Sequence, residues 1–172
     1  MQRAQLKVLL WTLLALFLPT LAGLAVIDSG LKVPASPGGI ISFEFCGFAS
    51  SCDATLEQWG VPGQKLALLS LGLDYLFLVV YPSLICVGLL LVSERVPVQW
   101  KTLTIFFAWL SLGAGIADAV ENFLLIRIIL SGLATSSGVV AAVFASAKFA
   151  VLGIAVFWLA FSCFASARRR HA

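Results

Sequence analysis

Residues 102 to 130 read TLTIFFAWLSLGAGIADAVENFLLIRIIL, and this stretch decides the fold of the chain. Its twenty-nine residues hold only three charges, Asp118, Glu121 and Arg127, and almost everything between them is apolar. At about 1.5 Å per residue a helix of this length exceeds the hydrocarbon thickness of a bilayer, roughly 30 Å. Such a segment suits lipid, and it suits the surface of a soluble domain poorly.

Three further runs share this character. Val8 to Ile27 is twenty residues without a charge; Leu66 to Val92 and Val139 to Ala165 are twenty-seven residues each, interrupted by Asp74 and Lys148. The whole composition agrees. The 172 residues are 61% hydrophobic and 11% charged, against about 25% charged in soluble domains, with a mean hydropathy of +1.06. Too few polar side chains remain to cover a water-soluble globule of this size. The expected fold is therefore an all-α membrane protein, a single domain over residues 1–172 built as a four-transmembrane-helix bundle. The spans are expected near 8–27, 66–92, 102–130 and 139–165, with a structured external first loop at 28–65. No length is left for a nucleotide-binding domain, and no nucleic-acid partner is expected; membrane lipid is the expected surrounding.

The connections carry breakers in place of apolar runs: Pro34, Pro37, Gly38, Gly39, Pro62 and Gly63 in the first loop, Ser93 to Lys101 after the second span, and the Ser/Gly-rich Ser131 to Gly138 after the third. Cytoplasmic connections collect Lys and Arg. Arg3, Lys7, Arg95, Lys101 and Arg168 to Arg170 fall on one side and Lys32 and Lys65 on the other, seven against two. This places both termini in the cytoplasm, with the protein in the plasma or inner membrane and the first loop periplasmic or extracellular. The Arg168-Arg169-Arg170 tail reads as an orientation anchor. A basic start followed by an apolar run and Gly23-Leu24-Ala25 is reminiscent of a signal peptide. At twenty residues, however, the run exceeds the usual h-region of about 7 to 15, so the first span is expected to be retained.

Cys46 and Cys52 lie in the external loop with a C-x5-C spacing, which suits a structural disulfide in an oxidising compartment. Cys86 and Cys163, near the cytoplasmic ends of their spans, read as packing residues. In outline a four-span chain with Cys in its first external loop resembles the bacterial quinone-linked disulfide oxidases. That likeness implies a C-x-x-C pair and a second external pair, and neither is present here. The one His, His171, lies in the tail, so no metal site and no cofactor are expected. Within the loop Ile41, Phe43 and Phe45 alternate with Ser42 and Glu44, and Ser50 with Asp53 forms a capping-box-like start to a short helix ending at Trp59. Such a loop is expected to fold on the bundle, either as a lid over the outer mouth with its aromatic residues at the membrane interface or as an ordered connector with no gating role.

Charged side chains inside a span are costly unless paired or wetted, which makes them functional candidates. Counted from the external ends, Asp74 is eight residues in, Glu121 and Lys148 nine, and Asp118 twelve. Three helices thus bring charges to a common depth of roughly 12 to 18 Å. Asp118, Glu121 and Asn122 share one arc of the third span through i,i+3 and i,i+4 spacing, continued by Ser111 and Gly115. Ser70, Asp74, Leu78 and Tyr81 share a face of the second, and Lys148 is flanked by the small Ala141, Ala145 and Ala155. Pro82 is expected to kink the second span beside this layer.

The expected binding residues are Asp74, Tyr81, Asp118, Glu121, Asn122 and Lys148. In one reading they only fix helix register, with Lys148 paired to Glu121 or Asp118 and Arg127 reaching the outer interface. In the other they line an outward-facing polar pocket that binds or transports a small molecule, a cationic or amine-bearing ligand or a lipid headgroup among the options, or relays protons. An intramembrane acid/base enzyme acting on a lipid or isoprenoid, with Asp118 or Glu121 beside Asn122, is the alternative class. An accessory subunit is the third. No hydrolase, zinc-protease or phosphate-loop motif occurs.

The segments Leu73 to Phe77 (LDYLF), Ala117 to Asn122 (ADAVEN) and Ala147 to Phe149 (AKF), preceded by Leu56 to Gly60 (LEQWG), resemble a pattern of small four-span bacterial membrane proteins. The likeness implies the four-span fold and assigns no activity.

Overall fold

The computed structural model describes residues 2–49, 52–131 and 135–168. Four long helices carry the molecule: α1 (Arg3–Ser29), α4 (Cys52–Ser93), α5 (Val98–Ser131) and α6 (Thr135–Arg168). Two short ones, α2 (Ile40–Glu44) and α3 (Cys46–Ala49), lie between the first pair. Among the described residues there is no strand, only an isolated bridge between Val33 and Ser36. Each long helix contains a segment long and apolar enough to cross a membrane. The four expected spans lie within the four helices.

Short connections force neighbouring helices to run antiparallel, and the contacts follow that order. The α1–α4 seam runs from Arg3 and Glu94, 3.4 Å apart, through Phe17 stacked on Phe77 at 5.3 Å, to Gly23 under Leu73. On α5, Ser111 donates to the Pro82 carbonyl of α4 at 3.2 Å, and Gly115 lies beneath the Leu78 carbonyl. That carbonyl is the one whose helical donor Pro82 removes. Trp158 of α6 donates to Thr104 of α5 at 3.0 Å, within an aromatic cluster of Trp100, Phe107, Trp158 and Phe161. One end of the bundle thus holds Arg3, Glu94 and Trp100, the terminal end; the other holds residues 28–49, the loop end.

The break in α4 is not where proline alone suggests. The helix continues through Pro82, and its one non-helical residue is Gly60 (φ 54°, ψ −170°), a conformation that suits a residue without a Cβ. Pro62 then starts the long apolar segment, where a missing N–H costs little.

The segment between α1 and α4 folds tightly at the loop end. Leu31, Phe43, Cys46, Leu56, Trp59, Leu71, Leu125 and Ile128 form one buried cluster. The Trp59 indole donates to the Leu31 carbonyl at 2.8 Å. Trp59 and Phe43 therefore belong to the core and not to an interfacial belt, whereas Phe48 is exposed. The alternation at Ile41 to Phe45 does not make an extended strand: these residues form α2 and the turn after it, started by Asp28, whose carboxylate accepts from the Ile40 N–H at 2.7 Å. Cys46 and Cys52 are joined, with Cα atoms 4.9 Å apart. Ser50, residues 132–134, Arg169, Arg170 and His171 lie outside the described residues, as does the expected Ser50 cap. Cys86 is buried as expected of a packing residue, but Cys163 is exposed on α6, so that expectation is corrected.

Candidate functional site

The polar side chains on the three long helices α4, α5 and α6 converge. Lys148, on α6 between the fully buried Ala141, Ala145 and Ala155, points its ammonium at α5. Its Nζ lies 2.7 Å from Asp118 Oδ1 and 2.9 Å from Glu121 Oε2. Asp118 accepts a second bond through Oδ2 from the Tyr81 hydroxyl at 2.9 Å, which ties α4 to the same carboxylate. One helical turn along α5, Asn122 donates through Nδ2 to Asp74 Oδ2 at 2.6 Å. All six residues expected from the sequence are thus joined in two linked groups. Arg127 stands apart, exposed on α5.

One member of the cluster is absent from the sequence-based set. Glu44, at the end of α2, turns inward from the loop, and its Oε2 lies 3.4 Å from Lys148 Nζ. Its period-two neighbours place it among the polar positions of a loop, yet it is buried. The available signal is its isolation: it is the only charge between Ile40 and Ala49, a segment otherwise apolar or neutral. Burial pushes the Glu44 carboxyl up to about 7, with Asp118 and Asp74 adding to the rise and Lys148 opposing it.

Four carboxylates therefore surround one ammonium. Within the cluster, the buried Glu121 Oε1 and Asn122 Oδ1 have neither a hydrogen-bond donor nor a contact to Lys148 Nζ among the described residues. Ser111, on the same arc of α5, directs its hydroxyl to the Pro82 and Ala108 carbonyls.

Beside the cluster lies a cavity of about 500 Å³. Asp74, Asp118, Asn122, Lys148 and Glu44 form its polar wall, and Ser70 and Tyr81 extend it. Most of the remaining lining is apolar: Phe17, Leu21, Leu24 and Ala25 from α1, Phe77 and Ile85 from α4, and Phe149, Leu152 and Val156 from α6. Asp28, whose carboxylate is engaged by the Ile40 N–H, lines the loop end with Ile40 and Ile41. α1 packs principally on α4, and the lining residues Leu21 of α1 and Val156 of α6 are both exposed. No protein-family model, curated protein or solved structure matches this chain.

Proposed function

We propose that this chain is a multi-pass protein of the plasma or inner membrane, with both termini cytoplasmic, that binds a small amphiphilic molecule entering sideways from the bilayer. The observation that carries the reading is the 500 Å³ cavity: apolar on its α1 and α6 sides, polar along one wall, and lined by exposed apolar residues of both α1 and α6. Ligand pockets of about 300 to 1,000 Å³ with mainly apolar walls and a few convergent polar groups are the common design. A cluster that only fixed helix register would need the Lys148 ion pairs and no cavity beside them. Acid/base catalysis is less well supported, because Asp118 and Glu121, the acids it would use, are both held by Lys148. The exposed apolar lining residues Leu21 and Val156 favour entry from the membrane over entry from water.

A single-chain alcohol carrying a diazirine, incorporated into nanodiscs with the purified protein, tests the reading. Crosslinks are expected on lining residues such as Leu24, Phe77 and Leu152. Ala25→Trp, which fills part of the cavity, is expected to reduce them several-fold. Labelling spread over outward residues such as Val8, Val98 and Phe157, and insensitive to Ala25→Trp, would overturn it.

A further inference from the structure

We infer that the ligand's polar end is a protonated primary amine held by Asp74 and Asn122, an assignment that rests on the membrane-entry reading above. The argument begins with an unfilled acceptor. Asn122 is 1% exposed and lines the cavity, its amide nitrogen is committed to Asp74, and its Oδ1 has no donor in the protein. A buried carbonyl oxygen left in this state costs about 1 to 3 kcal/mol, which a ligand donor recovers. Reversing the amide would set its oxygen against the Asp74 carboxylate, so the present orientation follows from the bond to Asp74.

Charge selects the kind of donor. Asp74, Asp118, Glu121 and Glu44 are four acids around a single lysine, and three of them already contact its Nζ. The fourth, Asp74, meets no cation; its described partner is the neutral Asn122. Lys148 has no capacity left for a phosphate or carboxylate headgroup, and the surrounding acids repel one. An ammonium reverses both effects: it supplies the missing positive charge at Asp74 and an N–H to Asn122 Oδ1, while its apolar chain lies along Phe17, Leu24 and Leu152. A quaternary ammonium would satisfy the charge but leave the carbonyl without a donor.

The test compares diazirine-bearing twelve-carbon probes in phosphatidylcholine nanodiscs: the primary amine, its trimethylammonium counterpart, the alcohol and the carboxylate. The amine is expected to label the cavity at about tenfold or more lower concentration than the alcohol, as a charge-assisted hydrogen bond allows, with the trimethylammonium between them and the carboxylate last. Asp74→Asn is expected to abolish the difference between the amine and the alcohol. The series in the unaltered protein stands even if that variant fails to fold. Alcohol or carboxylate labelling the cavity as well as the amine overturns the amine assignment and leaves the amphiphile reading in place. Failure of every probe to reach the cavity overturns both. Replacing phosphatidylcholine by phosphatidylethanolamine should not displace the amine; displacement would assign the site to the lipid headgroup and overturn the single-chain ligand.

Discussion

Lys148 neutralises more carboxylate than any pairwise reading allows. Its side chain is 6% exposed and serves Asp118, Glu121 and Glu44 together. Removing one partner of a buried ion pair leaves an uncompensated charge, typically about 3 to 5 kcal/mol destabilising. Lys148→Met is therefore expected to lower the thermal unfolding temperature of the purified protein sharply, and adding Glu121→Gln should not restore it, because Asp118 and Glu44 still lack their cation. Full restoration by the double variant would mean that only Glu121 and Lys148 are energetically paired. Glu44 responds to pH in a direction that can be worked out. Its carboxyl is raised from 4.5 to about 7 in the folded protein, facing Lys148 of α6, Asp118 and Glu121 of α5 and Asp74 of α4. The folded state thus holds this proton more tightly than the unfolded one, so the contribution is complete below pH 4.5 and is lost as pH rises through 7. The difference in unfolding temperature between the unaltered protein and Glu44→Gln should accordingly shift against the unaltered protein between pH 5 and pH 8. An opposite slope would show that ion pairing to Lys148 outweighs burial at Glu44.

Elements decide whether those residues meet. Glu44 reaches the cluster only because α2 and α3 are pressed onto the start of α6, where Gly47 packs directly on the Gly138 backbone and the Cys52 sulfur sits beside it. A Cβ at position 47 would collide with that backbone, and overpacking of this kind costs typically about 1 to 3 kcal/mol. Gly47→Val should also flatten the pH dependence assigned to Glu44, although Glu44 itself is intact, because α2 is carried away from Lys148. Lower stability with an unchanged pH slope would show that the α3 seam does not position Glu44. The sequence makes the long helices plain through uninterrupted apolar length, and the convergence of Asp74, Asp118, Glu121 and Lys148 follows from counting residues along rods. The α2–α3 segment resists that logic. Short helices have neither length nor a full period to show, so Glu44 looks solvated and Trp59 interfacial until tertiary packing buries both. The backbone break at Gly60 gives no comparable warning, since a glycine next to a helical stretch is common in connections of every kind.

At the scale of the whole molecule, antiparallel packing turns a count of basic residues into a testable orientation. The α1–α4 and α5–α6 seams put Arg3, Arg95 and Lys101 at the terminal end, while Lys32 and Lys65 belong to the loop end. The bias read from the sequence thus becomes an asymmetry between two faces of one bundle. If the four helices cross the membrane, the face poorer in Lys and Arg is expected to be the external one, and the joined Cys46 and Cys52 would then lie on the side where disulfides persist. Lys32 and Lys101 are exposed at opposite ends, which suits them for single replacements. In intact cells a membrane-impermeant maleimide is expected to label Lys32→Cys, whereas Lys101→Cys should label only after permeabilisation. The unaltered chain, with its free Cys86 and Cys163, supplies the background. The reverse pattern would invert the orientation and put the disulfide in a reducing compartment. Labelling of both positions in intact cells would mean that the helices do not separate the two ends by a bilayer, and the sideways entry proposed for the cavity would fail with it.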